Sequence, residues 1–356
     1  MNGASLEFLS RGCVAPLTFI ESARSDRLGR FDGSVHYSSG EICELGKVGL
    51  LRHNYEPAPL DVNLLLHSDG HHVFGGLLHN GHFGHFIAES LARLWAFDHL
   101  DAKYSSVVFY LRQTHLPVAG FVSETLEILI PNIETQIVRV PTEFEVLAVP
   151  QELKKGSYIV GHPLVKAMCK RLRSRDTGGA KKVYVSRSRL SLGQGGIFCD
   201  HLVDEYMQAE GYRVLYPETM SVREQLDAYA AAERLVFADG SALHLYALVA
   251  NPDQYVFVIW RRGKYGIFNW QVNSFGGPPV QGEPCLEQLW VPEDKAPDAA
   301  HGKAVLNFSL LSKQLREAGF ITHAPWDELK PSEIEKQLAM VTSKEGRKFV
   351  LIPIPR

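Results

Sequence analysis

A histidine and a glutamate one helical turn apart suggest proton-transfer chemistry in the first third of the chain. Residues 80–95 read NGHFGHFIAESLARLW. On a helix, His85, Glu89 and Arg93 would share one face, because residues four apart lie above one another. The carboxylate would orient the imidazole and raise its basicity, or would itself take a proton from an attacking hydroxyl group. The pattern leaves open which of the two is the base, and also a plainer alternative, a solvated face with modest ion pairs.

A second group of residues is suited to binding phosphate. The run KVYVS, residues 182–186, is followed by Arg187, Ser188 and Arg189. The planar fork of an arginine binds phosphate oxygens two at a time. Arg187 is therefore expected to meet a diphosphate group, with Arg189 assisting.

A turn later in the chain offers a further anion site. Residues 239–243 read DGSAL and predict a strand-to-helix turn. A helix that begins at Gly240, Ser241 and Ala242 would present free N–H groups and the positive end of its dipole to an anion. An ordinary helix cap is the alternative interpretation of this turn.

The elements that would position these residues are clearest between residues 182 and 260. Ser221 and Glu224 have the spacing of a capping box at a helix start. The predicted strands cover residues 182–186, 212–216, 235–238 and 255–260, and the predicted helices cover residues 201–210, 222–232 and 242–250. This alternation predicts a parallel, doubly wound sheet, whose ligands bind at the carboxyl ends of the strands.

The first half of the chain is less regular. Its patterns predict strands over residues 62–67 and 73–78, joined by a turn at Asp69 and Gly70. A long helix over residues 83–100, a strand over 106–111 and a helix over 118–130 follow. Two α/β domains in series are the simplest interpretation, with helices over residues 311–318 and 332–340 near the C-terminus.

Three segments resemble the family-61 glycosyltransferases. They are residues 80–95, VYVSRSRL at 183–190 and ADGSALHLYALV at 238–249. His85 and Glu89 match the family's histidine-to-acidic pair, and Arg187 matches the arginine that follows the strand. Gly240, Ser241 and Ala242 match its small-residue turn, although Asp239 stands where the family often has histidine.

The resemblance implies the GT-B fold, in which two Rossmann-like domains face each other across a cleft. It implies an acceptor domain over residues 1–160, a nucleotide-sugar domain over 161–300, and C-terminal helices over 301–356 near the domain junction. The expected reaction is metal-independent, inverting transfer of a hexose or pentose from a UDP-linked donor to a glycan or glycolipid, in surface polysaccharide synthesis. No cofactor is expected.

Four residues are expected to contact the acceptor or line the cleft, namely Asn80, His82, Arg93 and Trp270. Trp270 belongs to an aromatic stretch over residues 265–275. Such a stretch could stack on a base or a sugar, but packing in a core is the alternative for it.

Composition narrows the classes of function. The chain has 356 residues, with 37 Lys and Arg against 40 Asp and Glu. No basic block supports nucleic-acid binding. The five cysteines are scattered and predict reduced thiols. The start of the sequence lacks a secretory pattern, and its apolar runs are too short to cross a bilayer. We expect a cytoplasmic protein, with peripheral contact at the inner membrane surface and a homo-oligomer both left open.

Two alternatives from other classes remain at this stage. The first is a metal-dependent hydrolase, because histidine and carboxylate are natural ligands of zinc and iron. Its ligands would come from His67, His71, His72, His79, His82, His85 and Glu89. The second is a non-catalytic nucleotide-binding protein, since a fold does not fix a function.

Overall fold

The computed structural model describes residues 3–20, 30–49, 54–60, 65–173, 178–191, 194–263 and 266–354. The chain divides into two compact units, Met1–Leu172 and Arg173–Arg356. The sequence-based boundary lay at residue 160, so helix α3 (Pro163–Cys169) belongs to the first unit rather than to the second. The acceptor and donor roles assigned to the two domains stay predictions.

The first unit is built on a mixed seven-stranded sheet in the order β3-β2-β1-β7-β4-β5-β6. Strands β4 to β7 pair in parallel, whereas β1 runs antiparallel to both of its neighbours. The α/β class is confirmed, but this sheet departs from the predicted doubly wound form. The strands are β1 Leu6–Ile20, β2 Arg30–His36, β3 Asn54–Glu56, β4 Leu66–Leu78, β5 Tyr104–Leu111, β6 Glu134–Ile137 and β7 Thr142–Pro150, with the small pair β8 Lys154–Lys155 and β9 Tyr158–Ile159. The helices are α1 Phe83–His85, α2 Gly120–Leu129 and α3.

Strand β4 corrects one prediction in this unit. The turn expected at Asp69 and Gly70 does not separate two strands, because β4 continues through it. Gly70 has a φ of +95°, and register shifts at Ser68/His71 and Phe74/Gly76 absorb the extra residues. Such bulges bend a strand without ending it. Residues 62–64 of the first predicted strand lie outside the described residues.

The long helix predicted over residues 83–100 is also wrong. The short α1 is followed by a π-helical turn, Phe86–Ser90, and by a 3₁₀ turn, Leu94–Asp98. Residues 86–96 are all buried, so tertiary contacts replace part of the helical hydrogen-bond ladder. The Ser90 hydroxyl accepts a hydrogen bond from the His79 N–H, and the Ala92 carbonyl accepts one from Leu153. Turns of the π type are frequent at functional sites.

The second unit confirms the predicted alternation closely. Its five-stranded sheet has the order β12-β10-β13-β14-β15, and every neighbouring pair is parallel. The capping box at Ser221 and Glu224 is present. The strands of this sheet are β10 Lys182–Val185, β12 Arg213–Leu215, β13 Arg234–Ala238, β14 Tyr255–Ile259 and β15 Val280–Gln281. The helices are α4 Asp200–Ala209, α5 Val222–Ala231, α6 Ala242–Val249 and α7 Ile267–Phe275.

A four-stranded sheet completes this unit in the order β11-β17-β16-β18. The predicted C-terminal helices are confirmed, and Leu311 and Leu315 of the first pack in one core with strands of both sheets. The remaining elements are β11 Gly196–Ile197, β16 Leu286–Pro292, β17 Lys303–Leu306, β18 Phe349–Ile352, α8 Phe308–Glu317 and α9 Pro331–Glu345.

Two expectations from composition can be compared with the described residues. All five cysteines are buried and free. Among the helices of the described residues, none is long and apolar enough to cross a membrane.

Candidate functional site

The strand order of the parallel sheet in the second unit defines the edge at which ligands of such sheets bind. Numbered within this sheet, its order is 2-1-3-4-5, so the direction of winding reverses between β10 and β13. Ligands of doubly wound sheets bind beyond the carboxyl ends of the strands at such a switch point. Arg187 lies two residues beyond β10, and Gly240 lies two residues beyond β13.

Arg187 and Gly240 meet at this point, as the sequence predicted. The Arg187 Nη2 donates a hydrogen bond to the Gly195 carbonyl at 3.0 Å. Its buried Nε has no hydrogen-bond partner among the described residues. Burial lowers the pKa of Arg187. A Cβ on Gly240 would lie 2.4 Å from Arg187 Nη1, so only glycine lets the guanidinium cross this turn.

Ser241 and Ala242 form the start of α6 as expected. Ser241 occupies the N-cap position, and its side chain makes no capping hydrogen bond. Both residues are half-buried. The hydroxyl and the positive end of the helix dipole therefore lie beside Arg187 at the same sheet edge.

Two further arginines at this edge were missed by the sequence analysis. Asp239 is fully buried, and its carboxylate accepts from Arg262 Nε at 3.0 Å and Nη2 at 3.2 Å. Arg261 donates to the Asp239 carbonyl at 3.0 Å and to the Ala300 carbonyl at 3.1 Å. Burial lowers the pKa of Arg261 to about 9. Asp239 acts in the opposite direction, whereas repulsion from Arg187 and Arg262 lowers the pKa further.

Arginines predominate among the described residues at this edge. Arg187, Arg261 and Arg262 bring three guanidinium groups beside the Asp239 carboxylate, and Asp200 also acts on Arg187. Arg261 and Arg187 also approach each other, since a Cβ on Gly195 would lie 2.3 Å from Arg261 Nη1. A cluster of arginine side chains is suited to binding an anion. The signal in the sequence was two arginines just after the fourth strand of the alternation, at the edge where Arg187 was expected.

A small cavity of about 50 Å³ adjoins Arg187. Lys303 lines it, and its Nζ donates to the Gln194 carbonyl at 2.7 Å. Burial lowers the pKa of Lys303. Asp200 lines the same cavity, and burial with repulsion from Asp204 raises its pKa to about 6.

The two remaining residues predicted for this unit lie in different settings. Arg189 is exposed, and its guanidinium carbon lies 3.7 Å from the centre of the Tyr216 ring. Trp270 is half-buried on α7. Tyr265, at the start of the predicted aromatic stretch, lies outside the described residues.

In the first unit, a glutamate lies between two histidines at the carboxyl end of β4. His85 Nδ1 hydrogen-bonds Glu89 Oε1, and His79 Nε2 lies 3.5 Å from Glu89 Oε2. The side chain of Glu89 is 1% exposed, whereas that of His85 is 38% exposed. The His79 and His85 rings stack with centroids 5.0 Å apart and planes 20° apart. The structure therefore brings His85 and Glu89 together as predicted, and adds His79.

The electrostatics of this cluster favour an ionised glutamate. Burial opposes ionisation of Glu89, but the contacts with His79 and His85 outweigh it and lower its pKa to about 2. Burial lowers the pKa of His79 against the opposing effect of Glu89. A carboxylate with so low a pKa is a weak base, and the lowered pKa of His79 favours the neutral form of that ring.

Arg93 does not share the surface of His85 and Glu89. Its guanidinium is buried and donates to the carbonyls of Leu45, Lys47 and Pro150. The predicted common face fails because the helix changes to a π turn and then ends before Arg93. The contacts of Arg93 tie the first sheet to its flanking loop.

Asn80 and His82 flank the cluster differently. Asn80 is fully buried, and its amide nitrogen donates to the carbonyls of Gln113, Leu116 and Pro117. It therefore fixes the loop after β5. His82 is exposed, and its Nδ1 accepts the His85 N–H at 3.3 Å.

The histidine cluster considered for a metal-dependent hydrolase assembles only in part. His79, His85 and Glu89 each offer one ligand atom, all within 4.8 Å of one another, and no other such group occurs in the described part of the chain. His67 instead contacts Glu143, and His72 contacts Ser106. The nearly parallel rings of His79 and His85 would need to turn before both lone pairs could meet one ion.

Comparison with protein-family models gives a match that spans both groups of residues. Residues 83–256 match the model described as Glycosyltransferase 61. This match supports a family-61 glycosyltransferase. A search of curated proteins gave no match. The matched segment contains Glu89, Arg187 and Ser241, whereas His79 and Arg261 lie outside it. The match thus bears out the resemblance predicted from the sequence and supports a glycosyltransferase.

Proposed function

We propose that this glycosyltransferase moves a hexose or pentose from a nucleotide-sugar to a hydroxyl group of a glycan or glycolipid, with inversion and with His85 as the base. The observation that supports this choice is the difference in solvent exposure between His85 and Glu89. The Glu89 carboxylate is buried, hydrogen-bonded to His85 and 3.5 Å from His79 Nε2, whereas the His85 ring reaches the surface. A base must reach the hydroxyl that it deprotonates.

The proposed proton path follows from the hydrogen bond. His85 donates from Nδ1 to ionised Glu89, which leaves the lone pair of Nε2 to accept the acceptor's hydroxyl proton. The acceptor oxygen then bonds to the anomeric carbon as the bond from that carbon to the phosphate oxygen breaks. The electron pair of the broken bond goes to the leaving diphosphate, and attack from the opposite face inverts the anomeric centre. Glu89 stabilises the imidazolium that forms.

The leaving diphosphate would bind at the carboxyl edge of the parallel sheet. Arg187 and the N-terminus of α6 at Ser241 face that edge, and Arg262 is partly exposed beside them, with 22% of its side chain accessible. Fixed positive groups stabilise charge that develops on a leaving group without having to reorganise. Neither the base nor this anion site calls for a metal ion, and we propose a metal-independent reaction.

Paired substitutions test the role of the base. We expect His85→Gln to lower kcat by about 10²–10⁴-fold, the usual contribution of a general base. Glu89→Gln should also lower kcat, since an amide cannot stabilise the imidazolium. Both variants should bind donor normally, and His201→Gln, an exposed histidine on α4, serves as the matched control.

The outcome also separates the two candidate bases. If His85→Gln keeps kcat within a few-fold of the native value while Glu89→Gln loses it, Glu89 is the base and the proposed path is wrong. Donor hydrolysis and transfer to surface-polysaccharide fragments are measured in parallel. Turnover with donor alone but with none of these fragments would refute the proposed acceptor class.

A further inference from the structure

His79 lies outside the family match and contacts the proposed base pair from its buried side. The residue follows the last position of β4, and Ser90 fixes its backbone N–H. Its ring stacks on His85, and its Nε2 lies 3.5 Å from Glu89 Oε2. Only 10% of the His79 side chain is accessible, compared with 38% for His85. His79 is therefore placed to act on Glu89 rather than on a substrate.

The unused atoms of this cluster define the direction of the contact. His79 Nε2 and Glu89 Oε2 are both buried, and neither has a hydrogen-bond partner within the described residues. An ionised carboxylate only accepts hydrogen bonds, so a neutral imidazole facing it must carry its proton on the facing nitrogen. A small approach of these two atoms, which lie 3.5 Å apart, would give Glu89 the Nε2–H of His79 on one oxygen, beside the Nδ1–H of His85 on the other.

Other charged groups act on the cluster from neighbouring elements. His82 lies on the same loop, with its ring centroid 4.5 Å from that of His85. Arg112, just after β5, interacts with Glu89, and Lys154 of β8 interacts with His79. These groups are unchanged when His79 is substituted, so its own effect can be isolated.

We propose that His79 is a positioning residue, which holds one oxygen of Glu89 while the other oxygen holds His85, and thereby weakens the pull of the carboxylate on the proton that His85 receives. The effect of His79 on the reaction rate rests on the proposed role of His85 as base. Its effect on the titration of the His85 ring does not. A carboxylate that loses one hydrogen-bond donor concentrates its charge on the remaining partner. Without His79, the imidazolium of His85 should therefore be held more tightly.

Two substitutions distinguish this effect from simple packing. His79→Phe keeps a flat ring against His85 but has no N–H to donate. His79→Gln loses the ring but keeps an amide N–H that can reach Glu89. We expect His79→Phe to move the acidic limb of the pH–rate profile upward by about one pH unit, and His79→Gln to restore most of the native profile.

A direct titration keeps this test independent of turnover. In protein labelled at histidine, the His85 ring is identified as the NMR signal that disappears in His85→Gln. Its titration midpoint should rise in His79→Phe, return in His79→Gln, and stay unchanged in the control His201→Phe. Thermal unfolding identifies any variant that fails to fold, and His79→Leu then replaces His79→Phe as the variant without a donor.

The results divide clearly. Equal behaviour of His79→Phe and His79→Gln, or a His85 midpoint that neither variant moves, would reduce His79 to a packing residue and overturn the inference. A midpoint that shifts as expected in a protein that transfers no sugar would uphold the role of His79 and refute the proposed reaction instead.

Discussion

Gly240 offers the most direct test of the anion site. An added methyl group at this position would meet Arg187 Nη1 at 2.4 Å, its Cδ at 3.1 Å and its Cζ at 3.2 Å. Ordinary carbon contacts begin near 3.4 Å, so the guanidinium must move by about 1 Å. It cannot simply swing aside, because Arg187 Nη2 is hydrogen-bonded to the Gly195 carbonyl. Gly240→Ala should therefore displace the guanidinium that we propose binds phosphate, while keeping its charge.

The expected magnitude follows from that displacement. A misplacement of about 1 Å in a positioned group can cost roughly a hundredfold in rate. Gly240 does not have a positive φ, so alanine adopts its backbone conformation without strain. We therefore expect kcat/KM for the donor to fall about a hundredfold, and the free energy of unfolding to fall by at most about 1 kcal/mol, the contribution of the one strained hydrogen bond.

The assay begins with a thermal-shift screen of UDP, GDP, CMP and their sugars, which identifies a stabilising nucleotide. Initial rates with the matching donor then compare the native protein, Gly240→Ala, and the control Gly266→Ala. Gly266 also stands at a helix start, but an added Cβ there meets no atom of the described residues within 4 Å. The reasoning is refuted if Gly240→Ala retains kcat/KM within a factor of two, or if the control loses as much.

Three further predictions concern stability, pH and metal. Arg262→Ala should lower the free energy of unfolding by about 3 kcal/mol, because the buried Asp239 carboxylate loses both of its hydrogen bonds from this side chain. Urea titration measures this loss. A value below about 1 kcal/mol would mean that the Arg262–Asp239 pair stabilises the protein no more than an exposed salt bridge does. The pKa of Glu89 is lowered from 4.5 to about 2, so its stabilisation is present above pH 4.5 and lost as the pH falls toward 2. In Glu89→Gln, the free energy of unfolding should therefore depend less on pH over that range. The same pH dependence as in the native protein would show that Glu89 is not ionised there. Transfer should continue in the presence of a chelator. If the chelator instead abolishes activity, and zinc restores it in the native protein but not in His79→Gln, a metal site at His79, His85 and Glu89 is identified.

The sequence predicted the parallel sheet of the second unit well because its signals are local. Each strand and helix there is marked by its own apolar period, and the capping box at Ser221 needs only four residues. The meeting of Arg187 with Gly240 followed from one general property, that parallel strands end at a common edge.

Prediction was weaker in the first unit because tertiary contacts decide its local structure. The segment from Phe83 onward has the period of a long helix, but it is buried almost all round. Side chains and a neighbouring loop then take over hydrogen bonds that a solvated helix would keep. Arg93, expected beside His85, turned instead toward the carbonyls of Leu45, Lys47 and Pro150.

The sequence by itself determined the family, the alternation of the second unit, and the pairing of His85 with Glu89 one turn apart. Only the tertiary structure decided that His79 closes the other side of Glu89, and that Arg261 and Arg262 surround Asp239. These partners lie 10, 22 and 23 residues apart along the chain. A pattern of residue types carries no record of such distances, because strand register and loop path fix which side chains meet once the sheets have formed.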